Sequence, residues 1–172
     1  MDPRIAVVIF PPPEAVAAAE EFRRLHDPLF HRVAAHVTVV PAVGWRAAAV
    51  ALPRLDEAIR ETGRGPFPVN LCGIGRTKDG VVFVKVDEGG AALAELNERL
   101  TAALGPPPGS ERPPYIPVLG LGRGPTVSRA EFLQRQAAGY LSPARFPVEH
   151  LSLLVEDSRG LWHERHRLPL VA

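Results

Sequence analysis

The chain consists of two successive rounds of strand and helix patterns. Ile5 to Phe10 is an unbroken apolar run, which is typical of a buried strand. An amphipathic helical pattern follows three prolines, with Phe22 and Leu25 on its apolar stripe, and a second helical pattern directs Val50 toward the core. The first round therefore predicts, in order, strand 5–10, helix 14–25, strand 35–41, helix 47–60 and strand 67–74.

The second round begins after the turn signal Asp79–Gly80. Leucines at three- and four-residue spacing mark its first helix. In its second helix, Ser128 as the N-cap and Glu131 three residues later would form a capping box. This round predicts strand 81–86, helix 91–104, a loop over 105–114, strand 115–123, helix 128–138, strand 146–156 and strand 161–171.

The final strand of the first round and strand 146–156 both open on Phe-Pro-Val, at Phe67 and Phe146. From this repeat we predict an α+β fold in which a single domain, 1–172, is pseudo-duplicated into two lobes, roughly 1–80 and 81–172. Antiparallel sheets would surround a central cleft, with the helices on the outside. A ligand would lie in that cleft, where equivalent strands of the two lobes meet.

Strand 35–41 carries a histidine and a hydroxyl on one face. Val37 and Val39 point to one side of the strand, and His36, Thr38 and Val40 point to the other. Such a histidine can be an inert, hydrogen-bonded residue of a sheet surface, or it can be an acid–base group. Because the unperturbed pKa of histidine lies near neutrality, His36 is chemically suited to the second role.

The composition and the net charge restrict the classes of protein to which this chain can belong. The 172 residues are 46% hydrophobic and 23% charged, which suits one globular domain with a core. The net charge is +1, so no bulk field would draw the protein strongly to long nucleic acid or to a membrane. We expect a cytoplasmic protein without an internal disulfide, because Cys72 is the one cysteine and the run at 5–10 is too short for a signal or membrane segment.

Several motifs together resemble the 2H phosphoesterases, which include the bacterial 2′-5′ RNA ligase-like proteins and the cyclic nucleotide phosphodiesterases. These motifs are Arg24-Leu-His-Asp-Pro28, His36-Val-Thr-Val39 with Pro41, PVNLCGIG, VVFVKV and the closing Leu161-Trp162…Leu168. Members carry two His-x-Thr/Ser motifs on equivalent strands of two lobes. The resemblance therefore implies that His36 is an acid–base residue and that Thr38 contacts the phosphate, without a metal or other cofactor.

The second motif has two interpretations. A literal search finds His-Leu-Ser-Leu at 150–153, which would make His150 the second acid and Ser152 the second hydroxyl. The repeat and the spacing of the family point instead to 117–123, where Val118 replaces the histidine and Gly120 the hydroxyl residue. We favour this degenerate second site. If the alternate residues of their strand pack on the helices, His150 and Ser152 would still face the cleft and could act there; otherwise His150 is a half-exposed sheet residue.

Two further residues are candidate substrate contacts. Arg123 could contact a phosphate from the end of strand 115–123, or it could be an exposed structural arginine. Tyr115 could stack on a base, or it could serve packing. No metal site is predicted, because His26, His31 and His36 are five residues apart across a loop and lack cysteine or carboxylate support.

The resemblance implies a protein that opens a 2′,3′-cyclic phosphate, or cleaves or joins a 2′-5′ linkage, in a nucleotide or short RNA. We expect a monomer. One alternative is a degenerate, non-catalytic member that binds a nucleotide or a protein partner in the cleft. A third is a small-molecule enzyme unrelated to phosphate. A phosphate site should trap sulfate or phosphate between His36 and the opposite lobe, which separates the third hypothesis from the first two.

Overall fold

The structure is a computed structural model that describes residues 3–44, 48–105 and 114–172. Most of the predicted loop over 105–114 and the predicted helix start at residue 47 lie outside these ranges. Within them, eight strands and four helices follow one another as β1 (Arg4–Ile9), α1 (Pro13–His26), β2 (Val37–Gly44), α2 (Ala48–Thr62), β3 (Phe67–Arg76), β4 (Val81–Glu88), α3 (Gly90–Leu104), β5 (Val118–Arg123), α4 (Val127–Tyr140), β6 (Ala144–Val148), β7 (His150–Glu156) and β8 (Trp162–Pro169).

The eight strands form one curled antiparallel sheet, in the order β6-β3-β4-β5-β2-β1-β7-β8. One face of the sheet and the apolar stripes of the helices share a single core cluster, which includes Val37, Leu119 and Leu153. The predicted α+β class is confirmed. The opposite face, called the open face below, carries the alternate residues of the same strands, among them Thr38 and Val118.

The order of strands in the sheet does not follow the order of the chain. β3, from the first round, lies beside β4, and β7, from the second round, lies beside β1. Each half of the sheet therefore contains strands from both rounds. The two Phe-Pro-Val segments pair with each other, Phe67 opposite Val148 and Val69 opposite Phe146, so they are neighbours and not equivalent positions.

The predicted strand 146–156 is wrong as a single element. Its first part belongs to β6 and pairs with β3, whereas its second part is β7 and pairs with β1. The break falls at Glu149, whose carbonyl accepts a hydrogen bond from the backbone N–H of Leu170 at 2.9 Å. His150 consequently lies in the half of the sheet that contains β1 and β2.

Three details of the helices also differ from the sequence predictions. The N-cap of α4 is Thr126 and not Ser128: the Thr126 hydroxyl accepts the backbone N–H of Arg129 at 3.2 Å, which starts the helix earlier. Leu25 and Val50, predicted to face the core, are exposed. The buried stripe of α1 ends at Phe22 and Arg23, which leaves Leu25 on the solvent side. In α2, Ala51 and Ala58 are buried beside Leu55, which turns Val50 to solvent.

A buried arginine ties α1 to the segment that leads into β2. Arg23 is 1% exposed, and its guanidinium donates to Asp27 at 2.7 Å, to Glu20 at 2.6 Å and to the carbonyl of Val33 at 2.9 Å. Glu20 also accepts the backbone N–H of Ala35. Because an unpaired charge in the interior is costly, these partners are what allow a cation at this position. The network fixes the chain just before β2.

We predict that Arg23→Met lowers the free energy of unfolding by about 3 kcal/mol, since it leaves Asp27 and Glu20 without their buried cation. Urea unfolding measures this loss. Arg24→Met is the matched control, because Arg24 is the next residue and is exposed; its cost should stay within about 0.5 kcal/mol. Equal effects of the two substitutions would contradict the role of Arg23.

Candidate active site

The centre of the sheet is the junction between β2 and β5, where Val37 lies opposite Leu119. Both side chains are fully buried on the helix side. Continuing this antiparallel register by one residue places His36 opposite Gly120 on the open face. The predicted motif strand therefore lies beside β5, the strand in which the repeat predicts the second motif.

At the junction, β5 carries no polar side chain beside His36 and Thr38 of the β2 side. Continuing the register in the other direction places Thr38 opposite Val118, and Val118 lies diagonally across from His36, at about 7–8 Å between Cα atoms. A Cβ built on Gly120 would meet no atom within 4 Å. The surface beside His36 is thus open, and neither valine nor glycine can carry a proton or donate a hydroxyl there.

The ring of His36 is held in one orientation. Its Nδ1 lies 2.8 Å from the carbonyl oxygen of Ala34, and its edge meets Phe10 at 6.3 Å between ring centroids. Burial lowers the pKa of His36 and the charge of Arg23 lowers it further, against the opposing effect of the Ala34 carbonyl. The ring is therefore neutral at pH 7. Because a carbonyl only accepts, Nδ1 carries the proton and Nε2 is left as an acceptor.

Thr38 is half-buried on the same face, and its hydroxyl bonds to no residue that the structure describes. Its backbone carbonyl accepts the hydroxyl of Tyr115 at 2.8 Å, and Asn97 donates to the next carbonyl, that of Val39, at 2.7 Å. Burial raises the pKa of the Tyr115 phenol well above its usual range. Tyr115 thus packs against β2 and supports its backbone, and the Thr38 hydroxyl remains available.

His150 and Ser152 lie on the open face of β7, because Leu151 and Leu153 between and beside them are buried in the core. Ser152 is 1% exposed, and its hydroxyl donates to Glu164 at 2.6 Å. Although burial acts to raise it, the pKa of Glu164 is lowered by hydrogen bonds that include the one from Ser152. The Ser152 hydroxyl is therefore already engaged.

His150 and His36 are separated by β1. The pairing of Val8 with Ser152, continued along the strands, places His150 beside Phe10, which in turn lies beside His36. Two strand spacings correspond to about 10 Å. His150 thus lies across Phe10 from His36, on the side away from β5. The register therefore places β1, with the Phe10 side chain, between the two histidines on the open face.

Arg123 lies at the end of β5, opposite Val81. It is exposed and forms an ion pair with Asp79, which is also exposed. Three residues of extended chain, about 10 Å, separate it from Gly120. The Arg123 guanidinium is therefore directed to the β3–β4 turn, and the residue lies apart from His36.

Two residues that the sequence analysis did not select, Phe83 and Lys85, border the junction on β4. Phe83 pairs with Gly120, and Lys85 pairs with Val118. Their neighbours Val82 and Val84 are buried, so both side chains lie on the open face. The alternation in VVFVKV carried this signal, but only the pairing of β4 with β5 connects it to the site.

Other site types find little support in the part of the chain that the structure describes. It contains no group of three or more histidine, cysteine or acidic residues that could hold a metal ion. None of its helices has the length and apolar character needed to cross a membrane. A groove of about 330 Å³ lies between α2 and α3 on the helix side and includes none of the predicted site residues.

Comparisons with known proteins agree with this architecture. Among solved structures, E. coli LigT complexed with 3′-AMP superposes with a TM-score of 0.69 at 18% identity, covering 99% of this chain and 100% of that one. TT0787 of Thermus thermophilus gives 0.64 at 22% identity, covering 97% of each chain. Usb1 of Kluyveromyces marxianus with uridine monophosphate gives 0.59 at 14% identity, covering 98% of this chain and 99% of that one. At these identities the likeness concerns the fold.

No curated protein matches the chain in a sequence comparison. A family model described as the 2′-5′ RNA ligase superfamily, however, matches residues 11–160. That span includes the junction strands β2 and β5 and ends in the loop between β7 and β8. The chain therefore belongs to the 2′-5′ RNA ligase superfamily, within the 2H phosphoesterases.

Proposed function

We propose that this protein is a phosphoesterase that acts on a nucleotide or RNA phosphodiester, with His36 as its acid–base residue. The state of the His36 ring carries the proposal: Nδ1 is committed to the Ala34 carbonyl, and burial, which lowers the pKa, keeps Nε2 unprotonated. A histidine in this state can accept a proton from an attacking oxygen. Membership of the superfamily supports phosphodiesterase chemistry, and the LigT and Usb1 structures named above contain nucleotides.

The proposed step is a displacement at phosphorus. Nε2 of His36 accepts a proton from water, whose oxygen attacks the phosphorus as the bond to the leaving ribose oxygen breaks. The Thr38 hydroxyl donates to a non-bridging oxygen, where negative charge accumulates. The leaving oxygen takes its proton from solvent, since Val118 and Gly120 can supply none. Opening of a 2′,3′-cyclic phosphate and cleavage of a 2′-5′ linkage both fit this chemistry.

The absence of a proton carrier and of a hydroxyl at Val118 and Gly120 also favours a second candidate function. An acid–base partner commonly contributes 10²–10⁴-fold to a rate, so a site without the second one would be slow. The protein would then bind a nucleotide, or a protein partner, at the junction without turning over a substrate. Binding without hydrolysis distinguishes this candidate from a slow phosphoesterase.

We predict that His36→Ala lowers the hydrolysis of 2′,3′-cyclic AMP by about 10²-fold or more, because it removes the proton acceptor at the junction. Thr38→Val, which keeps the shape and removes the hydroxyl, should cost about tenfold. His166→Ala is the control, since His166 is exposed on β8. The measurement is the initial rate without added metal. An unchanged rate in His36→Ala would contradict its role. A loss in His150→Ala equal to that in His36→Ala would contradict the supply of the second proton by solvent and make His150 the second acid.

We predict that Val118→His with Gly120→Thr raises this rate by about 10²–10⁴-fold, because the pair restores a second acid and a second hydroxyl beside His36. The open space at Gly120 leaves room for the threonine side chain. Each single substitution is a control and should give a smaller gain. A folded double variant with an unchanged rate would show that residues 118 and 120 are not the positions of the second motif.

The pH dependence follows from the lowered pKa of His36. The neutral ring is the active base, so kcat/KM should be constant near neutrality and fall only as the pH drops through a value below the usual 6.5. Titration of the His36 ring protons by NMR, assigned with His36→Asn, gives the same value independently of turnover. A midpoint above 6.5 in either measurement would contradict the proposed role.

A further inference from the structure

The β4 side of the junction carries an exposed lysine. Lys85 makes no hydrogen bond or ion pair with any residue in the described ranges. It pairs with Val118, which lies between it and Thr38 in one row across β4, β5 and β2. Lysine is rare in this chain: Lys78, in the β3–β4 turn, is the other one.

Two glycines of β3, Gly73 and Gly75, lie beside Lys85, so no side chain projects from the sheet at these positions. A Cβ built on Gly75 would lie 3.1 Å from Cε of Lys85 and 2.6 Å from Cε2 of Phe83, and one on Gly73 would lie 3.7 Å from Cδ of Lys85. The lysine stem and the ring therefore lie across bare backbone of β3. No side chain of β3 at these two positions restrains the ammonium group, which has a flexible four-carbon stem.

The junction needs a positive charge if it holds a phosphodiester. His36 is neutral at pH 7, and Arg23, the nearby cation, is buried and fully engaged with Asp27, Glu20 and a carbonyl. Val118 and Gly120 contribute neither charge nor a side-chain hydrogen bond. Asp87, the acidic residue two positions along β4 from Lys85, accepts a hydrogen bond from Asn70 at 3.4 Å and forms no ion pair with Lys85.

We propose that Lys85 is the phosphate-binding cation of this site, entering over Val118 from the side opposite to His36. Its ammonium group binds a non-bridging phosphate oxygen and stabilises the charge that grows there during displacement. The inference rests on the proposed function, which it deepens. In place of the second His-x-Thr motif, the site would have a cation that binds the phosphate, and it would have no second proton carrier.

Calorimetric titration with 3′-AMP and with inorganic phosphate at low salt tests this role. Lys85→Gln should weaken the binding of 3′-AMP about tenfold, because a charge-assisted hydrogen bond is lost. Lys85→Arg, which keeps the charge, should stay within about threefold of the wild type. Lys78→Gln is the matched control and should bind as the wild type does. Thermal unfolding of each variant excludes a folding defect, since an exposed lysine contributes little to stability.

Hydrolysis of 2′,3′-cyclic AMP gives a second readout. Lys85→Gln should reduce the rate in the wild-type background, and the reduction should shrink when Val118→His and Gly120→Thr are present, since the restored pair then binds the same phosphate. Unchanged binding and rate in Lys85→Gln, with a rate that still depends on His36, would overturn the role of Lys85 and leave the proposed function standing. A wild-type protein that neither binds 3′-AMP or phosphate nor turns over the cyclic nucleotide would overturn both.

Discussion

The pairing of β2 with β5 at Val37 and Leu119 is the contact on which the site depends. Both side chains are buried against the helices, so a slip of one residue would turn the apolar residues of a strand to the open face. The register is therefore fixed by core packing, and the positions of the polar side chains follow from it. Tyr115 and Asn97 add donors to two successive carbonyls of β2, which supports the strand beside the junction.

The elements and the α+β class were predictable because they depend on local apolar periodicity, which core packing enforces. The placement of β3, and of β7 with β8, in the opposite half of the sheet from the other strands of their rounds was not predictable, because it depends on pairing between segments that are distant in the sequence. Phe67 and Phe146 illustrate the difference: the identical tripeptides suggested equivalent strands, whereas their strands are direct partners. The tripeptide at Phe146 also suggested one continuous strand, whereas the chain breaks at Glu149. The strand after the break, β7, carries His150 and pairs with β1.

Prediction of the site was limited in the same way. Alternation alone placed His36 and Thr38 on one face, but it gave no indication that Arg23 is the buried cation in front of that strand. The available signal for the buried ion pair was the four-residue spacing between Arg23 and Asp27. Many exposed ion pairs on helices have the same spacing, so it does not indicate burial. Lys85 lay in a recognised strand, yet its relevance required knowing that β4 pairs with β5 beside the motif strand.

The two sides of the junction are chemically unequal. On the β2 side, a neutral ring and an available hydroxyl can move a proton and donate a hydrogen bond. On the β5 side, a valine and a glycine leave an open surface, and the charge of Lys85 lies one strand further out. In the function proposed above, Lys85 holds the phosphate without a second proton carrier. Binding would then draw on both sides of the junction and turnover on His36, so the two properties would be separable by substitution.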